Sequence, residues 1–252
     1  MNKIEKLICY PLKSGAGINT DSLTGGDYGI DGDREFCLYR QSDKKFISMR
    51  DNIRILDVSI VCKGNNLVIK HDQAEHFFDI SNSNFDKIRI WSRDVEVLVM
   101  PTEVSEYISA IIGEQVILAR LYHQGVYSQS FMDTGPIHII SLGALNRLCI
   151  ALGYQRIDPL VFRPNIIVSE FSDIDEENIE SVTINGVKFI VTERTERCNA
   201  VSLLHKKIHG FENSQLLESI DEDNDYDGAF FGLYLQSEEQ FQLNVGNIIT
   251  LD

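Results

Sequence analysis

The chain has 252 residues, 43% hydrophobic and 24% charged, enough to bury a sizeable core in one large domain or two small ones. Its formal net charge of -15 excludes a protein that works by neutralising nucleic-acid phosphates, and no apolar stretch approaches the length that spans a bilayer. The five cysteines, Cys9, Cys37, Cys62, Cys149 and Cys198, are scattered without a close pair, which argues against a disulfide framework or zinc ribbon and suits a reducing, cytoplasmic setting.

Taken in order, Ile4 to Tyr10 reads as a strand stopped by Pro11. Its alternation of charged and apolar residues is unlike a signal peptide. Leu12-Lys13-Ser14-Gly15-Ala16-Gly17 follows as a small-residue loop in which Lys13 and Ser14 offer an ammonium and a hydroxyl to an anion. The spacing is not that of a P-loop. A Gly/Asp-rich loop from Gly25 to Asp33 then delivers Arg34 to a strand over Glu35 to Tyr39. Further strands are expected at Lys45 to Met49, Leu56 to Cys62, Leu67 to Lys70, Ile88 to Trp91 and Val95 to Met100. Short strands at this rhythm indicate a β sandwich or barrel over residues 1–100.

The pattern changes at Thr102, which opens a helix to about Ile112 with Val104, Ile108, Ile111 and Ile112 on one face. Val116 to Tyr122 and Ile137 to Ile140 read as strands, and Ser141 caps a second helix whose Leu142, Leu145, Leu148, Cys149 and Leu152 form an apolar stripe. Val161 to Val168 places Arg163 and Asn165 around Pro164 at a strand entrance, a fork for an anion beside an amide for a heterocycle edge; a surface ion pair and a turn explain them as well. Val182 to Val191 is two β-rich runs joined by Asn185-Gly186, a hairpin signal. Residues 199–220 look helical and irregular, and closing strands follow at Phe230 to Leu235 and Phe241 to Leu251. The fold class is mainly β with a few helices (α+β), divided into domains at 1–100 and 101–252.

The second strand of that hairpin leads into Thr192 to Asn199, where Cys198 sits in a charged run. A thiol flanked by arginine is either spare or available to a metal or electrophile. Cys198, His205 and His209 also admit a zinc hydrolase site, although Lys206-Lys207 equally fit an exposed helix face. Asp223 to Gly228 matches the first half of a calcium loop, but Tyr234 occupies the position that requires a bidentate Glu, so the stretch reads as a solvated acidic loop.

Several of these stretches together resemble the MOSC family, the C-terminal domain of molybdenum cofactor sulfurases, preceded by its N-terminal β-barrel domain. The resemblance is to YcbX-like proteins and mitochondrial amidoxime-reducing components. It rests on Tyr10-Pro11-Leu12-Lys13-Ser14, Asp33-Arg34-Glu35-Phe36, Asp133, Pro136, Ser141-Leu142 with Leu145-Asn146, Phe162-Arg163-Pro164-Asn165, Arg197-Cys198 and Phe231-Gly232 in that order. It implies a molybdenum-pterin cofactor ligated by Cys198, with Lys13, Ser14, Arg34, Arg163 and Asn165 holding its phosphate and pterin. The family also carries an association with pyridoxal phosphate binding.

The implied reaction removes oxygen reductively from an N-hydroxylated small molecule. The chain has no iron–sulfur cysteine spacing, so electrons would come from a separate ferredoxin-like or flavoprotein donor. A non-catalytic cofactor or sulfur carrier using Cys198 is the alternative. The chain departs from the family pattern at Gly15, at Val161 and over Asn199 to Leu204, the last lying next to the thiol.

Overall fold

A computed structural model describes residues 2–123, 125–126, 129–171, 178–210, 216–222 and 228–251, with only the backbone of Asp221 and Glu222. β1 (Ile4–Cys9), β2 (Ile18–Thr20), β3 (Ser22–Gly26) and β4 (Gly29–Ile30) open the chain, followed by β5 (Phe36–Tyr39) and β6 (Phe46–Ile47). β7 (Ser59–Lys63), β8 (Asn66–His71), β9 (Ala74–Asp79), β10 (Asn84–Ile90) and β11 (Arg93–Val99) lead to α1 (Thr102–Ile112) and β12 (Ile117–Leu121). Next come β13 (Ile137–Ser141), α2 (Leu142–Ala151), β14 (Ile166–Val168), β15 (Ser181–Ile184) and β16 (Val187–Glu196). The chain closes with α3 (Ala200–His209), α4 (Leu216–Glu222), β17 (Phe230–Gln236), β18 (Phe241–Asn244) and β19 (Ile249–Leu251). The architecture is mainly β with a few helices, as expected.

These elements form two compact units: residues 1–8, 19–31 and 134–252, and residues 9–18 and 32–133. The second contains a five-stranded sheet ordered β10-β11-β12-β5-β6 and a three-stranded meander β7-β8-β9. Strand alternation sorts its core. Phe36 and Leu38 of β5 and Leu118 of β12 pack into one cluster with Val104, Ile108 and Ile112 of α1. Cys37, Tyr39, Ala119 and Leu121, one residue out of phase, pack into another with Ile88, Ile90, Val95 and Val97. α1 stops at Gly113, which adopts the left-handed conformation at φ 73.

The first unit is organised on an eight-stranded sheet ordered β19-β15-β16-β17-β13-β14-β1-β2. Every residue of β13 and β14 is buried, so both faces of the sheet centre are covered. Ser141 caps α2 by accepting a hydrogen bond from the Ala144 amide, and Cys149 is core as expected, whereas Leu142 is 38% exposed and lies off the buried stripe. The Asn185-Gly186 hairpin forms, with positive φ at both residues, and gives β16 its register on β15 from Ile184↔Val187 onward.

The structure departs from the sequence expectation in places. Residues Ile53–Asp57 form a 3-10 helix capped by Asn52, and the strand expected from Leu56 begins only at Ser59. Pro159–Phe162 is likewise a 3-10 helix capped by Asp158, ending at a left-handed Arg163 before β14 starts. A side-chain oxygen at each cap satisfies an early amide and draws the chain out of extended geometry. The expected acidic loop at Asp223 to Asp227 lies outside the described residues.

Gly232 and Gly186 separate two roles of glycine. Both have φ near +80, but a Cβ at Gly232 would lie 2.8 Å from the Ile139 carbonyl oxygen and 2.6 Å from His138 Nε2, while Gly186 faces open space. Gly186→Ala therefore costs only about 1 kcal/mol of backbone strain, and Gly232→Ala costs at least about twice that, because β17 must also shift from β13. Urea unfolding of the two variants measures the difference.

Candidate functional site

In the first unit the hairpin strand β16 delivers Cys198 to its C-terminal end, directly before α3. The Arg197 amide donates to the Ala229 carbonyl at 2.7 Å, and the Val201 amide to the Cys198 carbonyl at 3.0 Å, so the backbone is anchored on both sides of the thiol. The Arg197 guanidinium donates to the Phe162 carbonyl at 2.8 Å and lies over the Phe162 ring. Phe162 packs on Phe231 with ring centroids 4.2 Å apart.

Cys198 is exposed. Cys37 and Cys149 are buried and Cys9 and Cys62 partly so. Burial pushes those four thiols above their ordinary values and favours the protonated form, which suits packing rather than ligation.

Arg163 and Asn165 belong to the same unit. Arg163 adopts φ 53 immediately before Pro164, a position where the following proline favours extended backbone. Asn165 is 1% exposed, and its carboxamide is engaged with backbone: Oδ1 accepts from the His138 amide at 3.2 Å and Nδ2 donates to the Ile8 carbonyl at 3.1 Å. Asn165 therefore positions the segment that carries Arg163.

Lys13, Ser14 and Arg34 belong to the second unit. Lys13 is buried; its ammonium donates to the Phe131 carbonyl at 2.8 Å and to Asp133 Oδ1 at 2.5 Å, and sits over the Phe46 ring. An ammonium has three N–H donors, and these two acceptors engage two of them. The Ser14 hydroxyl has no hydrogen-bond partner among the described residues, and its φ is 64. Arg34, at φ 48, pairs with Asp33 and lies over the Tyr10 ring, while Asp33 Oδ1 accepts the Tyr10 amide at 2.7 Å.

Seven non-glycine residues have positive φ among those described. Lys44, Asp72, Trp91 and Asn185 lie in turns between paired strands. The other three are Ser14, Arg34 and Arg163. Each such conformation costs of order 1–3 kcal/mol and persists where the surroundings over-determine it.

The residues fit an anionic, sulfur-rich molybdenum cofactor by donor chemistry: an exposed soft thiol, a partnerless hydroxyl and an ammonium. They do not fit zinc. Among the described residues no group of three His, Cys, Asp or Glu is placed to hold a metal ion, which leaves the minor Cys198–His205–His209 alternative without support. His209 Nε2 instead accepts the Asp158 amide at 3.1 Å, and buried His205 packs against the rings of His209 and Tyr154.

Sequence reasoning missed the braces. That Asp133 would hold Lys13, that a carbonyl would hold Arg197 and that Trp91 would donate to Asp133 Oδ1 at 2.7 Å leave no local pattern.

A β-rich architecture with a reduced cysteine mounted at a hairpin's end defines a class of scaffold, and comparison with known proteins gives its family. The MOSC N-terminal beta barrel domain matches residues 1–115 and the MOSC domain matches residues 126–250. The chain belongs to the MOSC family. It is 23% identical over 219 residues to Mitochondrial amidoxime reducing component 2 of Rattus norvegicus, covering 77% of this chain and 64% of that protein's length. The crystal structure of the YUAD protein from Bacillus subtilis shares the fold with a TM-score of 0.51 at 14% identity, over 99% of this chain and 94% of that one. No helix among the described residues is long and apolar enough to cross a membrane.

The Lys13–Asp133 pair generates a pH prediction. Burial acts to raise the Asp133 pKa, but the Lys13 charge and the hydrogen bonds from Lys13 and Trp91 outweigh it and hold the carboxyl below its ordinary 3.8. Burial lowers the Lys13 pKa, against the pull of Asp133. A carboxyl depressed in the folded state contributes stability above its unfolded pKa, and that contribution is lost as pH falls through the folded value. The Asp133 side chain is 56% exposed, so solvent screens the pair. With that discount, Asp133→Asn costs about 1–2 kcal/mol at neutral pH and flattens the loss of stability below pH ~4. Urea unfolding across pH measures both.

Proposed function

We propose that this chain binds a molybdenum-pterin cofactor through Cys198 and reduces N-hydroxylated small molecules with electrons from a separate ferredoxin-like or flavoprotein donor. The observation that carries the reading is the left-handed backbone at Ser14, Arg34 and Arg163. Outside the turns of paired strands, the described non-glycine residues held in that conformation are three of those that the family pattern assigns to the cofactor. Strained backbone of this kind clusters at ligand clamps.

When bound, the cofactor supplies the two-electron redox chemistry. The chain's own residues then have separate tasks. Cys198 offers a thiolate to the metal. Lys13 and Ser14 give one donor each to an anionic group, and the planar forks of Arg34 and Arg163 suit a phosphate or a heterocycle edge. Asn165 holds the backbone on which Arg163 is presented. The substrate class comes from the relative, whose name describes amidoxime reduction. The exposure of Cys198 also suits a carrier that hands on its cargo without turnover.

Metal and pterin analysis of protein made in a host that synthesises the cofactor tests the assignment. Wild-type protein is expected to carry about one molybdenum per chain and Cys198→Ala to lose most of it, with the fold intact by circular dichroism. Wild-type protein devoid of molybdenum and pterin would sink both the reductase and the carrier. An artificial electron donor with a panel of amidoximes separates these two: turnover by loaded protein supports the reductase, and loaded protein without turnover supports the carrier.

A further inference from the structure

The second unit carries a cleft of about 330 Å³ lined by Arg40, Lys45, Phe46, Ser48, Arg50, Asp51, Arg89 and Trp91. Four cations and one carboxylate converge there, in a chain whose net charge is -15. Arg40 is held by Glu114 at 2.8 Å and Arg89 by Asp94 at 2.9 Å. The Lys45 ammonium is exposed and has no acidic partner within bonding distance among the described residues. Asp51 Oδ2 accepts the Ser48 amide and hydroxyl at 2.8 and 2.9 Å, so its position is fixed. Burial acts to raise the Asp51 pKa, but those hydrogen bonds, and after them the charges of Arg40 and Arg50, hold it below the ordinary value.

The aromatic wall is as deliberate as the charge. Trp91 is the chain's one tryptophan and stands 48% exposed at the turn between β10 and β11, with φ 52, a conformation that a bulky residue seldom adopts. Its indole N–H is fixed by Asp133, the Phe46 ring meets it edge-on at 4.8 Å, and the Arg50 guanidinium lies 5.0 Å from its ring centroid. An oriented, half-exposed indole beside cations is a platform for a flat ring that bears negative charge.

We propose that this cleft binds a small aromatic anion, a flat ring bearing a carboxylate or phosphate, with the charge on Lys45 and Arg50 and the ring against Trp91. The site lies wholly within one unit and does not depend on Cys198 or on a bound cofactor. Because the protein has a single tryptophan, its intrinsic fluorescence, excited beyond the tyrosine band, reports on the surroundings of Trp91, and the Lys45 variants assign the change to this cleft rather than to Lys13, which shares the Asp133 acceptor.

The test titrates the full chain with phenyl phosphate and benzoate, using benzamide as the neutral ring and inorganic phosphate as the ringless anion. A saturable change with at least one aromatic anion is expected, with Kd below about 1 mM. Benzamide and inorganic phosphate are expected to bind at least ~tenfold more weakly. Lys45→Glu, an exposed position whose change does not threaten the fold, is expected to weaken binding by ~tenfold or more, while Lys45→Arg retains it and Lys63→Glu, outside the cleft, leaves it unchanged. The proposal is overturned if neither aromatic anion gives a saturable change up to about 10 mM, if benzamide or inorganic phosphate binds as well, or if Lys45→Glu binds like the wild type.

Discussion

A single asparagine fixes the region on which the candidate thiol depends. Asn165 donates its backbone N–H to the His138 carbonyl and accepts from the Ile8 amide, each at 2.8 Å, and its side chain repeats both connections in the opposite sense. One residue thus bonds to β1 on one side and β13 on the other. Each buried backbone group left unmet would cost about 1–3 kcal/mol. An aspartate would lose the donor, and any apolar residue would lose both partners. Arg163 holds its left-handed conformation against the extended preference that Pro164 imposes, between the fixed Asn165 and the Phe162 carbonyl to which Arg197 donates. The position of Cys198 follows, since Arg197 precedes it and the Cys198 carbonyl accepts the Val201 amide of α3.

Asp133 plays the corresponding part in the other unit. One oxygen, Oδ1, accepts from the Lys13 ammonium and the Trp91 indole. A buried ammonium is tolerated only with its charge answered, and the indole donor makes the same carboxylate a better acceptor by favouring its ionised form. Lys13 and Trp91 are therefore not independent. The cation expected to meet an anion and the platform of the aromatic cleft are set by a shared acceptor, with the Phe46 ring lying under Lys13 and edge-on to Trp91.

Much of the fold was legible because it is written in short-range chemistry. The Asn185-Gly186 turn, the Ser141 cap and the 3.6-residue stripe of α1 each depend on residues within a few positions of one another. β9 was missed for a physical reason: nearly all of Ala74–Asp79 is exposed, so no apolar alternation marks it. The 3-10 turns at Ile53 and Pro159 were missed because Asn52 and Asp158 redirect a run whose apolar content favours a strand. At the candidate site, the sequence order named candidate side chains but not what holds them. Lys13 and Asp133 are separated by 120 residues, and Asn165 and Ile8 by 157. No periodicity spans such distances, and the left-handed backbone at Ser14, Arg34 and Arg163 is invisible without coordinates.

The choice of partner explains how so acidic a chain keeps usable positive charge. An arginine paired with a carboxylate contributes little field beyond the pair, as with Arg40 and Glu114. A carbonyl oxygen can orient the same guanidinium without cancelling its charge. Arg93 on the Met132 carbonyl is held in this way, at 2.8 Å. Lys13 divides its donors between the Phe131 carbonyl and Asp133 and so retains part of its field. Aromatic faces also orient cations without adding charge of their own, since a ring attracts a cation through its quadrupole: Tyr10 lies under Arg34, which is also paired with Asp33, Phe162 under Arg197 and Trp91 under Arg50. Within a chain of net charge -15, orientation by neutral acceptors preserves local positive potential, while the surrounding acidic surface keeps the molecule as a whole repulsive to polyanions.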